Sequence, residues 1–260
     1  MNASRRTLSK PRYVALTLGG LIAFFAVWYF SAWARLAPPQ FLPMPHQVLD
    51  TLLRLMENPF SGYTLQEHML ASLQRFGMGF GLAALIGIPL GLMMGWFRLL
   101  DQIISPLFNG LRFVPPIAWV PFAALWFGTG IGGPVLIIFT GAFPPCLINA
   151  YRGARYVETH LIEAARTLGI GNFRIIGQVL FPAALPSIIA GLRISAGLGW
   201  MSLIGAELIV ASSGIGYLLV KGQSAIDASI VMAGMFSIGV VGLAIDIILR
   251  LIEKMLARHK

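Results

Sequence analysis

Residues 156–186 read YVETHLIEAARTLGIGNFRIIGQVLFPAALP and lie between two long apolar stretches of the chain. Within them, apolar residues recur at i, i+4, i+7 and i+11, a spacing that predicts one stripe of a short helix. The four residues are Val157, Leu161, Ala164 and Leu168. Gly169 follows where such a helix would end, and glycine tolerates the left-handed conformation of a helix C-terminus. The stretch therefore predicts a helix and a turn.

A second helix is predicted after this turn. Asn172 is a suitable N-cap for it, and Pro182 and Pro186 are expected to end it and to lead into the next apolar stretch. Its apolar positions are Phe173, Ile175, Ile176, Val179 and Leu180. On the first helix, Glu163 and Arg166 are three residues apart and are expected to pair. The apolar side of this pair of helices either fits a groove on a partner protein or lies on the membrane surface or its own subunit.

The composition of the 260-residue chain is that of a membrane protein. It is 57% hydrophobic and 11% charged, whereas soluble domains carry about 25% charged residues. The formal net charge of +9 comes from basic residues placed between apolar runs, which are topology signals and not a nucleic-acid-binding face. The single cysteine, Cys146, excludes an intrachain disulfide and a cysteine-cluster metal site.

Hydropathy predicts an all-α integral membrane protein with about six spans, at residues 13–34, 72–97, 104–127, 131–150, 188–211 and 229–251. The first is interpreted as a retained span, because residues 35–38 (Arg-Leu-Ala-Pro) are not a small-residue cleavage site. Prolines interrupt the third and fourth spans, which suits the lining of a pathway or ordinary kinked helices equally well. They are Pro115, Pro116, Pro121, Pro144 and Pro145.

The distribution of basic residues predicts that both termini are cytoplasmic. The cytoplasmic side receives Arg5, Arg6, Lys10, Arg12, Arg98, Arg152, Arg155, Arg166, Arg174, Arg250, Lys254, Arg258 and Lys260, with Arg112 and Arg193 near that face. The outer side receives only Arg35, Arg54, Arg75 and Lys221. This asymmetry implies an even number of spans.

The whole chain, 1–260, is predicted to be one transmembrane domain with its core at 68–252 and a cytoplasmic loop at 151–187. The outer connection, 37–67, contains the apolar spacing of a short amphipathic helix, which caps the bundle or contacts a substrate-delivery protein. That spacing is carried by Val48, Leu49, Leu52, Leu53, Leu55 and Met56. Glycines at four-residue spacing in the second span predict close helix packing within the subunit or across a dimer seam. They are Gly77 and Gly81, then Gly87, Gly91 and Gly95.

Each ionisable residue within a span is expected to have a structural or functional role, because burying one costs roughly 2.5–3.5 kcal/mol on insertion scales. Glu207 is interpreted either as a gate or pathway contact or as the partner of a helix end or a nearby Arg. Asp246 and Arg250, four residues apart, predict a local pair. Arg112 either attracts an anionic solute at a broken helix or anchors its helix at the cytoplasmic interface.

The residues around the Pro-Pro break, with two residues of the fifth span, are the candidates for a solute pathway. They are Arg112, Pro115, Pro116, Trp119, Trp200 and Glu207. Trp119, Trp126 and Trp200 line a cavity or sit in the interfacial belt.

Residues 156–186 resemble the conserved cytoplasmic loop of bacterial ABC importer permeases. The pattern of that family, the EAA motif, is Glu-Ala-Ala, three residues, Gly, nine residues, Ile, one residue, Leu-Pro. The chain matches it with Glu163, Ala164, Ala165, Gly169, Val179, Phe181 and Pro182, where Val replaces Ile and Phe replaces Leu. Residues 41–45, 112–121, 125–128, 199–200 and 206–208 resemble the nitrate, taurine and aliphatic-sulfonate branch of the family.

The resemblance implies a type I ABC importer permease in the bacterial inner membrane, with a small anionic solute (sulfonate, taurine or nitrate) as cargo. It implies a permease homodimer, two copies of an ATPase subunit that binds ATP and Mg, and an extracytoplasmic solute-binding protein. It also implies a coupling helix that docks in a groove of the ATPase. The expected coupling residues are Val157, Leu161, Glu163, Ala164, Ala165, Leu168 and Gly169.

The sequence has no Gly-x-x-x-x-Gly-Lys-[Ser/Thr] phosphate loop, so any ATP is expected on another chain. Its four histidines show no metal-ligand spacing and nothing resembles a catalytic set, so neither an enzyme nor a metal site is predicted. The alternative is an ion-gradient-driven secondary transporter, which would show two similar halves and several paired intramembrane charges. A membrane anchor would not need the shaped cytoplasmic loop.

Overall fold

A computed structural model describes residues 10–38, 40–128 and 130–257 of the chain, with the backbone alone at 10, 11, 13, 256 and 257. The described residues are almost entirely helical. The helices are α1 (Lys10–Trp33), α2 (Pro45–Glu57), α3 (Leu65–Trp96), α4 (Arg98–Leu111), α5 (Val120–Phe127), α6 (Gly132–Arg155), α7 (Thr159–Thr167), α8 (Asn172–Ile175), α9 (Phe181–Val210), α10 (Ile215–Ser224) and α11 (Ala228–Ala257). Arg5, Arg6, Arg258 and Lys260, which support the predicted orientation, lie outside the described residues.

Five helical segments are long and apolar enough to cross a membrane, and a bent pair makes a sixth if it is one span. The five are Val14–Trp33, Leu65–Trp96, Gly132–Arg155, Asn172–Val210 and Ala228–Met255. The predicted all-α membrane fold with about six spans is therefore confirmed. Pro144 and Pro145 lie inside α6, which continues through both of them.

The third span, predicted at 104–127 with proline interruptions, is a pair of helical segments joined by a sharp bend. Helix α4 begins at Arg98, six residues earlier than the predicted start, and the chain then turns by 87° into the segment Pro116–Phe127. The turn falls at Pro115, whose backbone is extended (φ −62°, ψ 143°). Two successive prolines cause the break, because each one lacks an N–H donor and disfavours a helical conformation in the residue before it.

The fifth span begins much earlier than the predicted residue 188, because Pro182 and Pro186 do not end the preceding helix. Helix α8 continues through a π-helical segment, Ile176–Leu180, into α9, so that Asn172–Val210 is one continuous 39-residue segment. The backbone N–H of Phe181 bonds to the carbonyl five residues earlier. This wide turn accommodates the missing N–H and the ring of Pro182 at the start of α9.

Helices α3, α6 and α9 form the centre of the bundle, and glycines of α3 set the α3–α6 approach. A Cβ atom on Gly91 would lie 2.5 Å from the carbonyl oxygen of Leu147, and one on Gly95 would lie 2.5 Å from the Cβ of Ala154. The backbones therefore pack directly against each other, as predicted for packing within the subunit. The face of α3 that carries Gly77 and Gly81 is open in the single chain.

Helix α2 is the amphipathic helix predicted in the outer connection. Val48, Leu52 and Leu55 are buried against α10 and α11, where they contact a cluster that includes Leu218 and Ile230. The alternate apolar residues Leu49, Leu53 and Met56 are exposed. Helix α2 therefore caps this end of the bundle with one face and keeps a second apolar face free.

Candidate functional site

Helix α7 ends in a complete C-terminal cap at the predicted glycine. Gly169 has φ +72°, its N–H donates to Arg166 O at 2.9 Å, and the N–H of Ile170 donates to Ala165 O at 3.1 Å. These two bonds are the pair that defines a Schellman motif. They fix the direction in which the chain leaves α7. The predicted helix end is confirmed.

The apolar side chains of this helical pair are exposed. Leu168 is 78% exposed and Phe173 is 81% exposed, whereas Ala165 is the one residue of α7 that is buried against the rest of the described chain. Leu161, Glu163 and Ala164 are exposed as well. The surface formed by Leu161, Ala164, Leu168, Gly169 and Phe173 is called the α7 surface below.

Three local predictions for this region are wrong. Val157 precedes α7, which begins at Thr159, and it is half-buried beside the core. Among the ion pairs of the described residues there is none between Arg166 and Glu163; the guanidinium of Arg166 lies 5.7 Å from the ring centre of Trp96. Asn172 is the first residue of α8 and not its N-cap, a position that Gly171 occupies without a side-chain hydrogen bond.

The break between α4 and α5 opens a cavity of about 500 Å³, here cavity A. The predicted pathway candidates Arg112, Pro115 and Pro116 all line it. Helix α6 contributes Thr140, Pro144 and Asn149, and α9 contributes Leu198, Met201 and Ser202. Cavity A therefore lies between the broken span and the two central helices of the bundle.

A second cavity of about 380 Å³, here cavity B, adjoins the first between α3, α4 and α6. The fourth pathway candidate, Trp119, lines this one. Arg112, Val114, Thr140 and Pro144 line both cavities. Thr140 and Pro144, which share both linings with Arg112, lie near the middle of α6.

Glu207, another pathway candidate, lines neither cavity of the described chain. It is 1% exposed and accepts hydrogen bonds from Arg75 Nη1 and from Ser72 Oγ, both at 2.8 Å. The backbone N–H of Gly216, at the start of α10, donates to its other oxygen at 3.0 Å. This placement agrees with the interpretation of Glu207 as the partner of a nearby Arg and of a helix end.

Arg75 and Ser72 extend this buried cluster to the turn before α10. Arg75 donates from Nη1 to Ser213 O at 2.7 Å and from Nη2 to Ser213 Oγ at 2.6 Å. The N–H of Gly214 donates to His68 Nδ1 at 3.1 Å, and that of Ile215 donates to Ser72 Oγ at 2.9 Å. The cluster ties the first turns of α3 to the last turn of α9 and to α10, at the end of the bundle opposite the α7 surface.

Sequence reasoning missed this cluster, because it counted Arg75 among the outer topology signals. Arg75 and Glu207 are separated by 132 residues, and no local spacing connects them. A signal was available: each residue is an isolated charge of opposite sign inside a predicted span, and such charges require partners.

The remaining predicted residues are placed apart from both cavities. Trp200 is buried against Phe76, and its indole N–H donates to Ile238 O at 3.3 Å. Asp246 pairs with Arg250 at 2.7 Å, as predicted, and also with Arg193 of α9 at 2.8 Å. Within residues 10–38, 40–128 and 130–257, no group of three or more His, Cys, Asp or Glu is placed to hold a metal ion.

A helical bundle that crosses the membrane several times around a cavity at a broken span defines a membrane transport component. The chain belongs to the family described as "binding-protein-dependent transport system inner membrane component", whose model matches residues 87–259. It is accordingly a multi-pass permease of the ABC importer type. The comparisons do not favour the alternative of an ion-gradient-driven transporter.

Two relatives and one solved structure show the extent of the similarity. The chain is 35% identical to the taurine transport system permease protein TauC of Escherichia coli over 246 residues, which cover 94% of this chain and 90% of TauC. It is 34% identical to the putative aliphatic sulfonates transport permease protein SsuC of Bacillus subtilis, covering 90% and 84% of the two chains. The MetNI methionine ABC transporter in an inward-facing conformation matches with a TM-score of 0.65 at 20% identity, covering 72% of this chain and 93% of the other. This last match shows the fold.

Proposed function

We propose that this permease carries a small anionic solute, such as a sulfonate, taurine or nitrate, and is driven by a separate ATPase that binds the α7 surface. The taurine and aliphatic-sulfonate relatives support the anionic class. The exposure of Leu168 and Phe173 is the observation that carries the docking proposal. Exposed apolar side chains on a short helix are suited to a groove on a partner protein.

The proposed assembly follows the family. Two copies of this chain form the translocation pathway, with residues 1–260 as one permease domain in each copy. Two ATPase subunits bind ATP and Mg on the cytoplasmic side, where the α7 surface and both chain termini would lie. An extracytoplasmic solute-binding protein delivers the solute at the opposite end, where α2 keeps an apolar face exposed.

The Schellman cap gives the docking proposal a mechanical basis. The two bonds of Gly169 and Ile170 hold α7 at a set angle to α8, which is continuous with α9. Movement of the ATPase would therefore reach the spans without first straightening a flexible loop. Val157, beside the core, and Ala165, which is buried, would anchor α7 to the permease, while Leu161, Glu163, Ala164 and Leu168 would contact the ATPase.

A matched pair of glycine substitutions tests this proposal. Gly169→Ala and Gly171→Ala add the same methyl group, and neither Cβ meets another atom within 4 Å. Gly169 has φ +72° and Gly171 has φ −72°, so only the first substitution forces alanine into the left-handed region, at a cost of about 1–2 kcal/mol. We expect Gly169→Ala to reduce co-purification with the ATPase and solute-stimulated ATP hydrolysis in proteoliposomes by about ten-fold.

Membrane insertion of both variants and the coupling of Gly171→Ala are expected to match the wild type. Leu168→Ser removes exposed apolar area without backbone strain, and it should weaken ATPase binding in the same assay. Normal ATPase attachment and transport in both Gly169→Ala and Leu168→Ser would show that the α7 surface does not couple the two subunits.

A further inference from the structure

The chemistry of cavities A and B narrows the solute class beyond "small anion". We propose that the two cavities form one site for an organic anion with an apolar tail, whose charged group binds Arg112 and whose tail occupies cavity B. This inference rests on the proposed function, because it names the solute of the same pathway. The four residues shared by the cavities, Arg112, Val114, Thr140 and Pro144, place the cation where the two spaces meet.

Arg112 is the one ionisable residue in the lining of either cavity. None of the ion pairs among the described residues includes it, and its guanidinium lies 4.9 Å from the ring centre of Phe113, its neighbour in the chain. Arg112 is exposed in the single chain, so its guanidinium is accessible from the space of both cavities. An anionic solute would supply the opposite charge that the described residues do not place beside it.

The other polar groups around Arg112 do not compete for the anion. Thr140 Oγ1 donates to Ile137 O at 2.8 Å, and Ser202 Oγ donates to Leu198 O at 2.7 Å. Asn149 Nδ2 donates to Pro145 O at 2.9 Å and retains a second N–H. The guanidinium of Arg112 therefore remains the main donor for a negatively charged group, and its planar fork suits an oxyanion with two or more oxygens.

Cavity B selects for a tail without charge. Apart from Arg112 and Thr140, its lining is made of apolar and aromatic residues. They include Leu107, Leu111, Trp119, Phe139 and Phe143. An alkyl chain bound there leaves water, whereas an ammonium group would enter an apolar space in which no carboxylate faces it.

The proposal therefore predicts a ranking of solutes. Each methylene added to an alkanesulfonate should tighten binding by about four-fold until cavity B is filled. Nitrate has the charge but no tail, and taurine carries an ammonium group at the end of its tail. Both are expected to bind at least about ten-fold more weakly than butanesulfonate.

Calorimetric titration of the purified permease–ATPase complex in nanodiscs tests the ranking, with ethanesulfonate, butanesulfonate, taurine and nitrate as probes. Arg112→Gln should weaken butanesulfonate binding by at least about ten-fold, and Arg112→Lys should recover part of the loss. Leu111→Asn, in the wall of cavity B, should remove the dependence on chain length. Leu99→Asn on the same helix, exposed and outside both linings, is the matched control and should bind like the wild type.

Equal affinity along the alkanesulfonate series, or nitrate or taurine binding as tightly as butanesulfonate, would overturn the proposal. So would unchanged butanesulfonate binding in Arg112→Gln. Repeating the titration on the permease without its ATPase separates the two hypotheses. Intact anion binding with no ATPase attachment contradicts only the proposed function, and solute transport by a complex that binds none of the probes contradicts only the site.

Discussion

Replacing Glu207 by alanine should be among the most destabilising single changes in this permease. The carboxylate accepts bonds from Arg75, Ser72 and Gly216, and Arg75 is only 7% exposed. Without Glu207 the guanidinium keeps its bonds to Ser213 but remains a buried charge with no counter-charge. Breaking a buried pair in this way costs about 3–5 kcal/mol. By the scaling for chains of this size, that loss lowers the melting temperature by roughly 6–20 °C.

A buried cysteine of the chain can report thermal unfolding. Cys146 is the single cysteine of the sequence and is 1% exposed. A thiol-reactive fluorophore therefore reports unfolding of the central helices during a temperature ramp of the purified protein. Wild type and Glu207→Ala would be compared in the same detergent and at the same protein concentration.

A double variant separates loss of charge balance from loss of packing. In Arg75→Met with Glu207→Leu, both charges are replaced by apolar groups, and such replacements are often neutral. The double variant should therefore melt above Glu207→Ala. If Glu207→Ala melts with the wild type, or if the double variant melts lowest of all, the buried pair does not hold α3, α9 and α10 together.

Two further changes follow from the packing. Gly91→Ala places a methyl group 2.5 Å from Leu147 O and should destabilise the α3–α6 contact by about 1–3 kcal/mol. Gly81→Ala, in open space on the same helix, is the control and should change the melting temperature little. Equal effects of the two substitutions would contradict the packing argument. Asp246→Asn removes the ion pairs of Asp246 with Arg193 and Arg250. Because these side chains are partly exposed, the thermal ramp should show a loss of stability below about 1 kcal/mol. A loss as large as that of Glu207→Ala would contradict this reasoning.

The sequence predicts the helical membrane fold because apolar length is a local property. It also predicts the end of α7, because the left-handed conformation at Gly169 is specified by one residue. The Pro-Pro sequence indicates that the third span is interrupted, but the 87° angle depends on how α4 and α5 pack against the other helices. Patterns of proline and hydropathy do not contain that information.

The sequence pattern does not predict the continuous helix through Pro182 or the pairing of Arg75 with Glu207. A π-helical turn absorbs Pro182, and it depends on the backbone geometry of the preceding turn more than on any one residue type. The pairing of Arg75 with Glu207 joins two distant helices, whose relative position only the folded bundle sets. Arg112, a predicted pathway candidate, lines two cavities, and its place between them follows from the contact of α4 with α6.

The unbroken segment Asn172–Val210 is a continuous helical connection between two distant regions of the permease. At 1.5 Å per residue, its 39 residues extend about 58 Å, from a few residues before the π-helical turn to the carboxylate of Glu207 and slightly beyond. A helix resists shortening, so the distance between Phe173 and the end of α9 is set by this one element. Its far end is held by the buried pair of Glu207 with Arg75, so Phe173 of the α7 surface and that pair belong to the same helical element.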